Sequence, residues 1–180
     1  CNLREDHDGV YKLVLDAALK LKNASADFIV LCANTLHQYV DRLIEEVNLP
    51  IVHIADATAV EIKKLGLSTI GLLGTKFTME LDFYTSRLSD ANIKSLVPER
   101  LERLFIHNTI MDELLKEIYK PESKKRFLEI INDLEQKGAQ GIVLGCTEIP
   151  LLINQADTHL PVFNTLKIHA KAAVDFAINE

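Results

Sequence analysis

The stretch Gly141-Ile142-Val143-Leu144-Gly145-Cys146-Thr147-Glu148 is a short apolar run closed by glycine, then by a cysteine, a threonine and a glutamate. The run has no polar alternation, so it reads as a strand buried on both faces, as strands of parallel sheets are. It is flanked by a helical pattern over Ser123 to Lys137 and by a helix near Ile149. The same unit occurs earlier in the chain. Ala26-Asp27-Phe28-Ile29-Val30-Leu31 shares four of six residues with Ala139-Gln140-Gly141-Ile142-Val143-Leu144. Each copy continues into a small-and-polar turn, a helix and a Leu-Pro strand, at Leu49 and at Leu160. The copies lie 113 residues apart at the first strand and 111 at the second. Such self-similarity predicts two equivalent structural units.

Outward from these copies the chain alternates helices and strands. Helical spacing covers Val10 to Leu21, Leu36 to Val47, Ala57 to Leu65, Phe77 to Leu88, Leu101 to Tyr119 and Leu166 to Ile178. Gly66 stops the third, and Pro98 opens the fifth at its first position. Strands are expected at Phe28 to Leu31, Pro50 to Ile54, Thr69 to Gly74, Ile93 to Val97 and Leu160 to Phe163. The expected fold is therefore α/β, with two pseudo-symmetric lobes, each a parallel sheet flanked by helices. Residues 1–65 with 164–180 form the first lobe and 66–163 the second. The turns Cys32-Ala33-Asn34-Thr35 and Gly145-Cys146-Thr147-Glu148 then face one another across an interlobe cleft. Ligands of open parallel sheets bind at such carboxyl ends of strands.

Composition excludes several function classes. Lys and Arg number 20 against 26 Asp and Glu, a net charge of -6 with no basic run, which argues against a nucleic-acid groove. The longest apolar runs, such as Phe28 to Ala33, are about six residues, too short to span a bilayer. No apolar segment of secretory type opens the chain. Three cysteines, Cys1, Cys32 and Cys146, are too few and too odd for a disulfide framework, so a reduced, cytoplasmic protein is expected. The chain begins at Cys1 rather than Met, from which an incomplete N-terminus is expected. Six histidines without cysteine clusters or His-Glu spacing make no metal site. Gly71-Leu72-Leu73-Gly74 lacks the glycine spacing of either phosphate loop.

Cys146 is the reactive candidate. A cysteine at a strand-to-helix turn sits near a helix N-terminus, where the dipole favours thiolate. The competing reading is an inert, buried, small apolar side chain. The repeat adds a constraint: sliding the copies by 113 residues aligns Cys146 with Ala33, not with Cys32. In extended chain a one-residue shift reverses the face, so Cys32 is expected to point away from Cys146, into packing.

The turns resemble a known family. Cys32-Ala33-Asn34-Thr35-Leu36-His37 and Ile51-Val52-His53-Ile54-Ala55-Asp56-Ala57 are followed by Leu72-Leu73-Gly74-Thr75-Lys76-Phe77-Thr78-Met79 with Asp82-Phe83-Tyr84. Then come Leu144-Gly145-Cys146-Thr147-Glu148-Ile149 and Pro161-Val162-Phe163-Asn164-Thr165 with Ile168-His169-Ala170. In this order they resemble the cofactor-independent aspartate/glutamate racemases, from about Leu13 to the end. The resemblance implies two thiols on opposite faces of the substrate, one taking the α-proton and one returning a proton, with neither pyridoxal phosphate nor metal. It implies a homodimer acting on a small amino acid or carboxylate, aspartate or glutamate by default. It implies Cys146 as a catalytic thiol, with Cys32 off register, and substrate contacts from Asn34, Thr35, Thr75, Thr78, Thr147 and Glu148.

Three features depart from the family pattern. Ala33 occupies the position of the first thiol, leaving Thr35 or a water for the opposite face. Asn164 stands where the family often has Asp. The N-terminal strand, Gly-rich turn, helix and further strand of the family do not fall within this sequence, which is therefore expected to be a fragment. Thr75 and Thr78 can bind carboxylate, or Thr75 can merely cap its helix. Lys76 is expected on the solvated surface, and His37 and His169 as structural hydrogen-bonding residues. The rival functions are a one-thiol or non-catalytic carboxylate-binding relative, and another carbon-acid isomerase or decarboxylase.

Overall fold

The computed structural model describes residues 6–178, so Cys1 lies outside the described residues. The chain runs α1 (His7–Asn23), β1 (Ile29–Val30), a 3-10 segment (Asn34–Tyr39), α2 (Val40–Val47), β2 (Ile51–Val52) and α3 (Ile54–Lys64). It continues through β3 (Thr69–Gly74), α4 (Lys76–Glu80), α5 (Asp82–Asp90), β4 (Lys94–Leu96) and α6 (Arg100–Asp112). After a 3-10 turn (Leu114–Lys116) come α7 (Pro121–Gln136), β5 (Ile142–Gly145), α8 (Ile149–Leu152), a second 3-10 turn (Gln155–Asp157), β6 (Val162–Asn164) and α9 (Thr165–Ile178). Among the described residues, no helix is long and apolar enough to cross a membrane.

Every strand pair is parallel, and the fold is α/β with helices flanking the sheets. β1 and β2 form a small sheet, while the larger has the order β4-β3-β5-β6. The internal repeat holds down to the pairing register. Ile29 pairs with Ile51 and Val30 with Val52; their counterparts Ile142 and Val143 pair with Val162 and Phe163. The bond from Ile29 N–H to Pro50 O (2.9 Å) is matched by that from Ile142 N–H to Pro161 O (2.8 Å).

Strand alternation separates two cores on the larger sheet. Leu73, Ile142 and Leu144 meet Ile106, Ile110 and Phe127 from α6 and α7. Ile70, Leu72 and Val143 meet Ile54, Ala59 and Ile62 of α3 and Tyr84 and Leu88 of α5. A third cluster joins Tyr11 and Ala18 of α1 to Leu43 and Val47 of α2 under Ile29 of β1. α3, placed with residues 1–65 by sequence, thus buries its apolar face against the larger sheet.

Local differences from the sequence reading have tertiary causes. The helix expected over Phe77 to Leu88 breaks at Leu81, whose backbone is extended (φ -89, ψ 154). The break carries the chain from one sheet face to the other: Met79 joins the first core and Tyr84 the second. The helix expected over Leu101 to Tyr119 ends at Asp112, and the following turn sends Leu114 into the core. That helix starts at Arg100 rather than Pro98, because Glu99 forms a capping box with Glu102. The segment Asn34–Tyr39 is 3-10 rather than α, which eclipses Asn34 and His37 three residues apart and buries both. α3 begins at Ile54, inside the expected strand, because His53 Nδ1 accepts the Ala55 N–H at 3.1 Å.

Candidate active site

β3 is followed by β4 on one flank, and the chain then crosses to place β5 on the other. Between β3 and β5 the strand order therefore reverses, and a crevice opens at their carboxyl ends. There Gly74 pairs with Gly145. A Cβ on Gly74 would lie 2.9 Å from Gly145 O, and one on Gly145 would lie 3.0 Å from Leu73 O. The two glycines let the strand ends run close together and deliver the Thr75 and Cys146 turns side by side.

A cavity of about 290 Å³ lies over these turns and is bordered from the other side by Ala33, Asn34 and Thr35. It brings together Asn34, Thr35, Thr75, Thr78, Cys146, Thr147 and Glu148, so every expected site residue except Cys32 lines one space. Ala33 is extended (φ -137, ψ 130) and faces the cavity in the position that the repeat equates with Cys146. Cys32, one residue earlier, borders a separate cavity of about 90 Å³ with Val30, Ile54 and His169. It is exposed rather than packed as the sequence suggested, because the chain there lies at the surface.

Cys146 is buried, and its thiol donates to Glu148 Oε2 at 2.9 Å. The other carboxylate oxygen of Glu148 accepts from the Thr147 hydroxyl at 2.7 Å. Burial, followed by the Glu148 carboxylate that accepts the S–H, pushes the Cys146 thiol up to about 12. The dipole-stabilised thiolate expected from the turn is not what forms. α8 is only four residues long, and its weak dipole is outweighed by desolvation.

The opposing turn is held from beneath. Asn34 is buried; its Nδ2 donates to Thr165 Oγ1 at 3.3 Å, and that hydroxyl donates to Leu144 O at 2.8 Å. This fixes the amide orientation and leaves Asn34 Oδ1 as a buried acceptor without a protein partner. His37 Nδ1 donates to Ala33 O at 3.0 Å, and the His53 and His169 rings lie edge-on to it at 4.8 and 5.1 Å. Burial, with added repulsion between the rings, lowers His37 to about 4 and His53 to about 3. Burial lowers His169 too, while its Nε2 donates to Val52 O at 2.7 Å. These neutral rings brace the turn, as the sequence reading expected of His37 and His169.

Thr75 occupies the N-cap position of α4 but makes no side-chain cap bond; its hydroxyl lies 3.4 Å from that of Thr78. Plain capping therefore does not account for Thr75. Lys76 is exposed, with Nζ 3.9 Å from Glu80. Asn164 Oδ1 accepts from Lys167 N–H at 3.2 Å and so caps α9. Among the described residues, no group of three or more His, Cys, Asp or Glu side chains could hold a metal ion. The sequence reading missed the far wall, formed by Phe77 of α4 and His107, Ile110, Met111 and Leu115 around α6. Its one available signal was a histidine placed on the apolar side of a helix.

The model of the Asp/Glu/hydantoin racemase family matches residues 2–173. The broad specificity amino-acid racemase RacX of Bacillus subtilis (strain 168) is 23% identical over 172 residues, covering 94% of this chain and 73% of that protein. Glutamate racemase 3 of Caldanaerobacter subterraneus subsp. tengcongensis is 26% identical over 145 residues, 78% of this chain and 49% of its own length. The chain thus spans about half the length of some curated relatives. Among solved structures, a candidate Asp/Glu racemase from Yersinia pestis superposes with a TM-score of 0.91 at 43% identity, covering 98% of this chain and 78% of that one. An aspartate racemase homologue from Pyrococcus horikoshii OT3 gives 0.85 at 37% identity, over 97% and 76%. With the repeat, the crevice at the strand ends and the Cys146 turn in place, the chain belongs to the Asp/Glu/hydantoin racemase family.

Proposed function

We propose that this cavity carries cofactor-independent proton abstraction and return at the α-carbon of an amino acid. The observation that carries this reading is the buried Cys146 thiol, hydrogen-bonded to Glu148, facing the Ala33-Asn34-Thr35 turn across one small cavity. The unpartnered Asn34 Oδ1 and the Glu148 carboxylate are acceptors for a substrate ammonium. The Thr75 and Thr78 hydroxyls are donors for its carboxylate. Loss of the α-proton leaves its electron pair delocalised into that carboxylate, where donors in a water-poor cavity stabilise the charge. Cys146 then protonates the α-carbon from its own face and becomes thiolate. In the reverse direction that thiolate is the base, and its high proton affinity matches a weak carbon acid. Ala33 offers no proton carrier on the opposite face, so the Thr35 hydroxyl or a water takes that part. The family resemblance taken alone would give aspartate and glutamate as the substrates. A reducing cytoplasm suits the thiols Cys32 and Cys146, and a homodimer is the family's arrangement.

A second reading is favoured by the Ala33–Cys146 asymmetry. One thiol suffices for a carbon-acid reaction that needs protonation on a single face, such as isomerisation or decarboxylation of a small carboxylate. The test is proton NMR in deuterium oxide on the full-length protein with each enantiomer supplied separately, and chirality measured on the same samples. Exchange from both enantiomers with inversion supports racemisation. Exchange from one without inversion supports the one-thiol reading. Exchange unaffected by Cys146→Ala sinks the thiol mechanism.

A further inference from the structure

We infer that this cavity selects amino acids with uncharged, mainly apolar side chains over aspartate and glutamate; the inference rests on the α-carbon chemistry proposed above. The lining divides into two sides. The polar side, from Asn34 through Thr75 and Thr78 to Glu148, matches the ammonium and carboxylate that every amino acid has. The remaining wall must therefore meet the side chain, and it consists of Phe77, His107, Ile110, Met111 and Leu115. Ile110 and His107 are buried at its base, and Met111 and Leu115 are partly exposed at its rim.

Among the described residues, no lysine or arginine lines the cavity, and the acidic side chain that does is Glu148. A second carboxylate would enter beside it without a counter-ion and would give up its hydration against alkyl groups. His107 Nδ1 accepts the Lys76 N–H at 3.3 Å. Lys76 is turned toward Glu80, and Arg103 is held by Glu80 and by Pro98 O. A leucine or methionine side chain would instead bury its apolar atoms against Ile110 and extend along Met111 and Leu115.

The experiment measures α-proton exchange in deuterium oxide for both enantiomers of leucine, methionine, aspartate and glutamate, with the full-length protein. Leucine or methionine is expected to exceed the acidic pair in kcat/KM by about a hundredfold. Equal or faster exchange of aspartate or glutamate overturns the inference. Binding to the Cys146→Ala variant, read by calorimetry, is independent of the reaction. Tighter binding of leucine with no exchange in the wild type sinks the proposed chemistry and keeps the subsite. Tighter binding of aspartate, or binding of neither, overturns the subsite. Leu115→Arg places a cation at the exposed rim, where the fold tolerates it, and should shift the glutamate-to-leucine ratio upward by about tenfold or more. An unchanged ratio means that this wall does not meet the side chain. Any acidic exchange that disappears in Lys76→Ala identifies Lys76 as the recognising cation and likewise overturns the inference.

Discussion

Ionisation of Cys146 can be read from its alkylation by iodoacetamide. Only the thiolate reacts, so the rate follows the thiolate fraction. An ordinary thiol near 9.0 is about one-tenth ionised at pH 8, whereas one near 12 is about one ten-thousandth ionised, a difference of about a thousandfold. Burial also slows access, but it does so equally at every pH, so the profile is more informative than the absolute rate. In a Cys1→Ser, Cys32→Ala background, the Cys146 rate should rise about tenfold per pH unit from pH 8 to 10.5 without levelling. Mass spectrometry follows the adduct, and circular dichroism checks that the fold persists at each pH. Glu148→Gln removes the carboxylate that holds the S–H, so it lowers the thiol pKa and raises the rate at pH 8. A plateau near pH 9, or a profile indifferent to Glu148→Gln, would refute the account of this thiol as buried and carboxylate-bound.

Ala33→Cys supplies the proton carrier that the opposite turn lacks and should raise inversion of configuration by about a hundredfold, measured by chiral chromatography; no gain would mean that Ala33 does not face the reacting carbon. Gly74→Ala should destabilise by about 1–3 kcal/mol in urea unfolding, because its Cβ meets the Gly145 backbone oxygen at 2.9 Å. Gly71→Ala, whose Cβ meets the ends of Ile142 and Leu134, should cost less, and the reverse order would contradict the packing at the strand ends. The buried His37 and His53 stay neutral in the fold but protonate in the unfolded chain below about 6.5, so stability present above that pH is lost as pH falls toward about 4 and 3. At pH 5 the two together remove at most about 4 kcal/mol relative to pH 7, and unfolding midpoints that do not fall would argue against neutral buried rings.

The strands around the site were legible because Thr69 to Gly74 and Ile142 to Gly145 are buried on both faces, and a run of that kind admits few other readings. The Ala33-for-Cys146 correspondence was legible because the repeat kept its strand register. The break at Leu81 was not, since it depends on where two cores lie across a sheet and leaves no glycine or proline behind. The wall from α6 was hidden for a related reason. Ile110 and Met111 carry the same apolar signal whether they face a core or a cavity. The thiol of Cys146 misled local reasoning, because a turn before a helix predicts stabilised charge while burial beside Glu148 dictates the neutral form.

The hydrogen bond from Asn34 to Thr165 joins residues 131 positions apart and continues to Leu144 O. Closing so long a loop is entropically expensive and is accomplished late. During synthesis, the Asn34 turn leaves the ribosome long before the strand that carries Leu144 and the helix that begins at Thr165. A growing chain therefore holds Asn34, Thr35, Thr75 and Thr78 with no Cys146 turn to set them against. Ligand affinity should emerge in one step, when the helix that begins at Thr165 docks, so a ligand cannot guide the folding of the segments made before it.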